Sequence, residues 1–158
     1  MAEVKQRHKI FQYTNSIQWQ EAKKGILSSQ DKPDIAIATP LEFLGHAGFW
    51  SPEDLFLASV NSCIMTTFLY YAQRKRLQFL SYTSRAEGIL EMVRGGFMFS
   101  EVKVEPQILV RQDIDIQRAR EFMELSEKNC FISSSIKSKV KVIPYIEAQK
   151  DRIDQENI

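Results

Sequence analysis

The residues of this chain best suited to chemistry are its two cysteines, Cys63 and Cys130. Neither belongs to a C-x-x-C pair or stands beside a histidine. With only His8 and His46 available, a zinc site would have to be completed by carboxylates, so neither a metal nor another cofactor is predicted. Cys63 falls in the middle of an apolar segment, directly after the polar pair Asn61-Ser62. Burial there disfavours a thiolate, so Cys63 is either a small core hydrophobe or a thiol served by a specific cation or hydrogen-bond donor. Cys130 stands where one predicted helix ends and another short one can begin. Main-chain N–H groups at such a junction favour a thiolate, and on local grounds Cys130 is the better nucleophile. A bond between the two does not follow from their spacing.

The elements around these residues can be read from pattern. The first forty residues read as strands: a short mixed run at 9–13, a run at 17–24 carrying Trp19 before a turn-like Gly25, and the apolar run 35–38 ending at Pro40. A polar loop at 28–33 separates the last two, and 42–50 reads as an ordered connection. Ser51-Pro52-Glu53-Asp54 then announces a helix. Ser51 can cap it, Pro52 suits its first position, and the acids suit the positive end of its dipole, with Asp54 completing a capping-box-like pattern. The helix is predicted to run to about Lys75, ending in Arg74-Lys75-Arg76. It is apolar nearly all round, which predicts burial on all sides and therefore a second subunit. The stretches 84–93 and 97–110 read as a hairpin about Gly95-Gly96. A second helix is predicted over 113–128, with Ile116, Ala119 and Met123 on its apolar stripe. Residues 131–138 read as a short helix or turn, and 140–145 as a last strand. The order β-β-β-α-β-β-α-β is that of an α+β domain over 1–148, with a polar tail at 149–158.

The composition narrows the partners. A formal net charge of +1 argues against a nucleic-acid binder, and 44% hydrophobic with 26% charged residues describes a folding, globular chain. The greasiest stretch is interrupted by Asn61, Ser62 and two threonines, so no membrane partner is predicted. The charged start leads into no apolar signal core, which predicts a cytoplasmic location. Other candidates have plain alternatives. His46 could line a pocket or simply occupy a loop, and Trp19, Phe43, Phe49 and Trp50 could wall an apolar pocket or fill a core. The basic run at 74–76 reads as a helix end.

The segment Pro52-Glu53-Asp54-Leu55-Phe56-Leu57-Ala58-Ser59-Val60-Asn61-Ser62-Cys63, with the apolar helix and basic end that follow, resembles the signature of the OsmC/Ohr family. Asn129-Cys130-Phe131-Ile132-Ser133 is similar to the family's second motif. The resemblance implies an OsmC-like fold of antiparallel sheets wrapped around long central helices in an intertwined homodimer. It also implies metal-free reduction of organic hydroperoxides or hydrogen peroxide. Carried over, Cys63 is the attacking cysteine, Cys130 the resolving one, and Glu53 the acid that holds a catalytic arginine. The restoring partner is implied to be a dithiol reductant of the lipoyl type. Glu53 precedes Cys63 by ten residues, about 15 Å on a straight helix, so it would serve the Cys63 of a partner subunit. At the arginine position this chain departs: the matching stretch Glu21-Ala22-Lys23-Lys24-Gly25 offers Lys23, which supplies charge without a planar fork. The alternative function is therefore a non-catalytic OsmC-like protein that binds a small apolar ligand or senses oxidants.

Overall fold

The computed structural model describes residues 9–150. His8, the charged start and the tail from residue 151 onward lie outside them. The chain divides into two compact units, one ending at Asp54 and one beginning at Leu55.

The first unit is built on a three-stranded antiparallel meander of β1 (Ser16–Glu21), β2 (Lys24–Ser28) and β3 (Ile35–Ala38). The expected strand at 9–13 is irregular. The first turn falls at Ala22-Lys23 rather than at Gly25. Ala22 takes the left-handed conformation (φ 44°), while Gly25 is a strand residue opposite Trp19. A Cβ on Gly25 would stand 3.1 Å from the Gln18 carbonyl oxygen, so this glycine serves close strand packing. A 3₁₀ turn over Leu41–Phe43 leads to Ser51, where the expected cap forms. Ser51 Oγ accepts from the Asp54 N–H at 3.0 Å, and Asp54 Oδ2 accepts from the Ser51 N–H at 2.9 Å. This reciprocal pair opens α1 (Pro52–Arg74), which runs unbroken.

The second unit sets helices against one mixed sheet. β4 (Phe79–Val93) and β5 (Gly96–Val110) form the long antiparallel hairpin. Its two-residue loop is Arg94-Gly95, one position earlier than expected, because both residues take positive φ (49° and 86°) as a primed turn requires. The predicted last strand is two short ones, β6 (Lys139–Val142) and β7 (Tyr145–Ala148), both parallel to β5. Their register on β5 is continuous: Val104 pairs with Val142, and Gln107 with Tyr145. The ladder breaks between these pairs because Pro144 falls level with Pro106, and neither has an N–H to give.

Alternation divides the sheet. One face of β5 carries Val102, Val104, Ile108 and Val110, all buried, while Glu101, Lys103 and Glu105 face the other way and pair with Lys141 and with each other. α1 covers the β4 side of the buried face through Leu57 over Gly88, Asn61 against Ser84, and Phe68 against Phe79 and Tyr82. A Cβ on Gly88 would lie 2.6 Å from Leu57 Cδ2 and 2.9 Å from Phe99 Cε1, so glycine is what lets the helix lie this close. α2 (Ile114–Asn129) covers the β5–β7 side through Ala119, Phe122, Met123 and Ser126. The four-residue α3 (Phe131–Ser134) follows directly.

The burial of α1 departs from expectation. Only Val60, Ile64, Phe68 and Ala72, one residue per turn, are fully buried, while Leu69 and Tyr70 remain 37% and 53% exposed. By length and composition alone α1 would suffice to cross a membrane, its polar interruptions notwithstanding, but its buried stripe is committed to the sheet.

Candidate functional site

In the second unit the two cysteines come together. One edge of α1 carries Cys63 and Tyr71 at helical spacing, and both face the junction of α2 and α3. Three contacts fix that junction. Asn129 Nδ2 donates to Tyr71 Oη at 2.8 Å and to the Leu125 carbonyl at 2.9 Å, and the Tyr71 ring lies against Phe122 with centroids 6.4 Å apart. At the other end of α2, Arg118 pairs with Asp115 at 2.7 Å and donates to the Lys75 carbonyl at 2.9 Å. Both ties lie on one side of the cysteines, toward the C-terminal end of α1. The Cys63 thiol is near enough to Cys130 Sγ to disfavour its charge, and both are free thiols.

The two sulfurs differ in setting. Cys63 is half-buried, and its carbonyl accepts from Thr67 Oγ1 at 2.8 Å and from Thr66 Oγ1 at 3.2 Å. Cys130 is 0% exposed. Burial pushes its thiol up from the ordinary range, the neighbouring Cys63 thiol pushes the same way, and the Ser133 hydroxyl and N–H pull against both. The predicted short helix does form after Cys130, and Sγ accepts from the Ser133 N–H at 3.4 Å. These favourable influences of Ser133 are outweighed by desolvation. The local expectation that Cys130 is the better nucleophile is therefore corrected: of the two, Cys63 is the one open to a reagent.

The remaining candidates lie in the first unit. Glu53 sits in the first turn of α1, and its Oε2 is buried with no hydrogen-bond partner. Lys23 Nζ donates to the Phe43 carbonyl at 2.9 Å. The His46 N–H donates to the Thr39 carbonyl at 2.9 Å. Trp19, Phe43, Phe49 and Trp50 are all at least 37% exposed, so they do not fill a core; Lys24 Nζ lies 5.4 Å from the centre of the Phe49 ring. Among the described residues no group of three histidine, cysteine or acidic side chains gathers as a metal site would require.

Residue type does not single out Tyr71, and Asn129 and Ser133 enter the sequence reading only as neighbours of Cys130 in the family's second motif. The signals that mark them are positional: Tyr71 stands two turns after Cys63, and Ser133 stands at the third position of the helix that Cys130 caps.

Comparison with known proteins agrees with this architecture. Residues 45–144 match the family model described as OsmC-like protein, and the chain belongs to that family. It is 23% identical over 110 residues to the uncharacterized protein YmaD of Bacillus subtilis, which spans 68% of this chain and 73% of that one. An OsmC-like protein of unknown function from Vibrio cholerae superposes with a TM-score of 0.75 at 22% identity, covering 89% of this chain and 100% of the other. An organic hydroperoxide resistance protein from Elizabethkingia anophelis does so with a TM-score of 0.68 at 18% identity, covering 88% and 99%. The fold is therefore α+β and OsmC-like.

Proposed function

We propose that this protein reduces organic hydroperoxides, or hydrogen peroxide, with Cys63 as the attacking thiol and Cys130 as the resolving one. The observation that supports this reading is the nearness of a half-buried thiol on α1 to a fully buried thiol at the α2–α3 junction, close enough for one to act on the other's charge. Such a pair suits a two-step oxidation. The Cys63 thiolate attacks the terminal peroxide oxygen; an S–O bond forms as the O–O bond breaks, and the alkoxide takes up a proton and leaves as alcohol. Sulfur is oxidised to a sulfenic acid and the peroxide is reduced by two electrons. Cys130 then attacks the Cys63 sulfur. The S–S bond forms, the S–OH bond breaks, and hydroxide leaves as water with the proton Cys130 gave up. A dithiol reductant of the lipoyl type restores both thiols by exchange.

The reading takes the protein to be a cytoplasmic homodimer. In such a dimer Glu53 of one subunit serves Cys63 of the other, and Lys23 supplies positive charge to the site. The side chains that α1 leaves open, Leu69 and Tyr70 among them, support a covering subunit.

The test is single-turnover oxidation of the reduced protein by cumene hydroperoxide and, separately, by hydrogen peroxide, followed by mass spectrometry. Rapid formation of a Cys63–Cys130 disulfide is expected. Cys63→Ser should abolish oxidation, and Cys130→Ser should leave a trappable sulfenic acid on Cys63. Reaction no faster than that of a free thiol would overturn the reading in favour of a non-catalytic ligand-binding or oxidant-sensing role.

A further inference from the structure

Three serines follow the second cysteine, at 133, 134 and 135, and two of them spend their hydroxyls on the preceding turn. Ser134 Oγ donates to the Cys130 carbonyl at 2.9 Å, and Ser135 Oγ donates to the Phe131 carbonyl at 2.7 Å. Ser133 does not follow them. Its Oγ is buried and has no hydrogen-bond partner, although its own N–H already points at Cys130 Sγ from 3.4 Å. A buried hydroxyl left without a partner is uncommon and asks for a reason. Position supplies one. Cys130 is the residue that caps α3 and Ser133 is the third residue of that helix, the relation in which each side chain can reach back to the other.

We infer that Ser133 is the positioning residue of the second thiol, its hydroxyl turning to donate to Cys130 Sγ as that sulfur loses its proton and attacks the oxidised Cys63. The inference rests on the proposed peroxidase chemistry and adds to it a group for the resolving step. The need is physical. Cys130 is wholly buried, no described cation stands among the groups that act on it, and the neighbouring Cys63 thiol also disfavours its charge. A thiolate made there depends on hydrogen bonds, and those donated to a charged sulfur are stronger than those to a neutral one. In the resting thiol the demand is weak, and the hydroxyl, near enough to Sγ to favour its charge, makes no aligned hydrogen bond. In the resolving step, as the proton leaves and the S–S bond forms, the demand is greatest. During reduction Cys130 leaves as a thiolate again, and the same donor assists.

The experiment compares wild type with Ser133→Ala and Ser133→Thr in quenched single turnovers with cumene hydroperoxide, reading Cys63 sulfenic acid and disulfide separately. In Ser133→Ala the rate of disulfide formation from the sulfenic acid is expected to fall about tenfold, and its pH profile to move up by about one unit, the two being the same free energy. Ser133→Thr, which keeps the hydroxyl, is expected to restore both. Disulfide formation at the wild-type rate, or a slowed rate with an unmoved pH profile, overturns the inference. If wild type yields no sulfenic acid, the peroxidase reading is what fails. Ser133 is then tested directly by titrating the ultraviolet absorbance of the Cys130 thiolate in a Cys63→Ser background. There too Ser133→Ala is expected to raise the midpoint by about one unit, and an unmoved midpoint overturns the inference.

Discussion

Cys63 rides in the middle of a 23-residue helix whose backbone hydrogen bonds are complete around it, while Cys130 sits at the single extended residue between two helices, with φ −69° and ψ 117°. The first sulfur is placed by packing, through the buried stripe Val60, Ile64 and Phe68 that seats α1 on the sheet. The second is placed by polar ties: the Asn129 amide to Tyr71, the Ser133 N–H to sulfur, and the Ser134 hydroxyl to the Cys130 carbonyl. A rigid rod presents one thiol and a pinned corner presents the other. The contrast explains how one thiol can stay open while its partner is sealed, and it makes the two regions separately breakable.

The largest expected effect comes from lifting the rod. Gly88→Val would drive a branched side chain into Leu57 and Phe99, where even a single added carbon lies within 3 Å of both. Overpacking of this kind costs about 2 kcal/mol, measured as a lower urea midpoint. The same displacement of α1 should slow disulfide formation more than it slows Cys63 oxidation. A Gly88→Val protein as stable as wild type would show that the helix is not held where its closest contact suggests.

Loosening the corner should do less. Asn129→Ala removes the donor to Tyr71 and to the Leu125 carbonyl and should cost about 1 kcal/mol. Tyr71→Phe, which removes the acceptor, should cost no more, and the double mutant little beyond either. Additive losses in that cycle would mean that the tie across the helices carries no energy of its own.

The smallest effect is a matter of pH. Cys130 is held protonated by burial and by Cys63, so its folded pKa lies above its unfolded one. The folded state then keeps a proton that the unfolded state gives up. Stability from this group is intact below the unfolded value and declines as pH rises through it toward the folded value. Above about pH 9, where an ordinary thiol ionises, the reduced protein should lose stability more steeply than Cys130→Ser. Parallel alkaline profiles for the two would show that the corner is less sealed than its burial implies.

Much of the rod was legible in the sequence and little of the corner was. Ser51 with Asp54 marks the start of α1, the basic run marks its end, and the period of its apolar residues contains the buried stripe. Sequence pattern could not say which side of an all-apolar helix the chain itself would cover, because that depends on where β4 passes beneath Gly88. The hairpin loop was displaced by one residue because Arg94, with no glycine's freedom, still adopts the left-handed conformation. Gly25 reads as a turn because a glycine demanded by a neighbouring strand looks the same in sequence as one demanded by φ. The nearness of the thiols joins residues far apart along the chain. No local pattern encodes it, and only the resemblance to a known family suggested it.

The two prolines that interrupt the pairing of β5 with β6 and β7 bear on how the protein behaves in a crowded solution. That side of the sheet ends in two four-residue strands, with Lys139 and Lys141 on one and Pro144 between them. A border that is short, charged and missing an N–H at its centre is a poor template for a strand from another molecule. The chain thereby keeps its sheet from growing outward into fibrils along that edge.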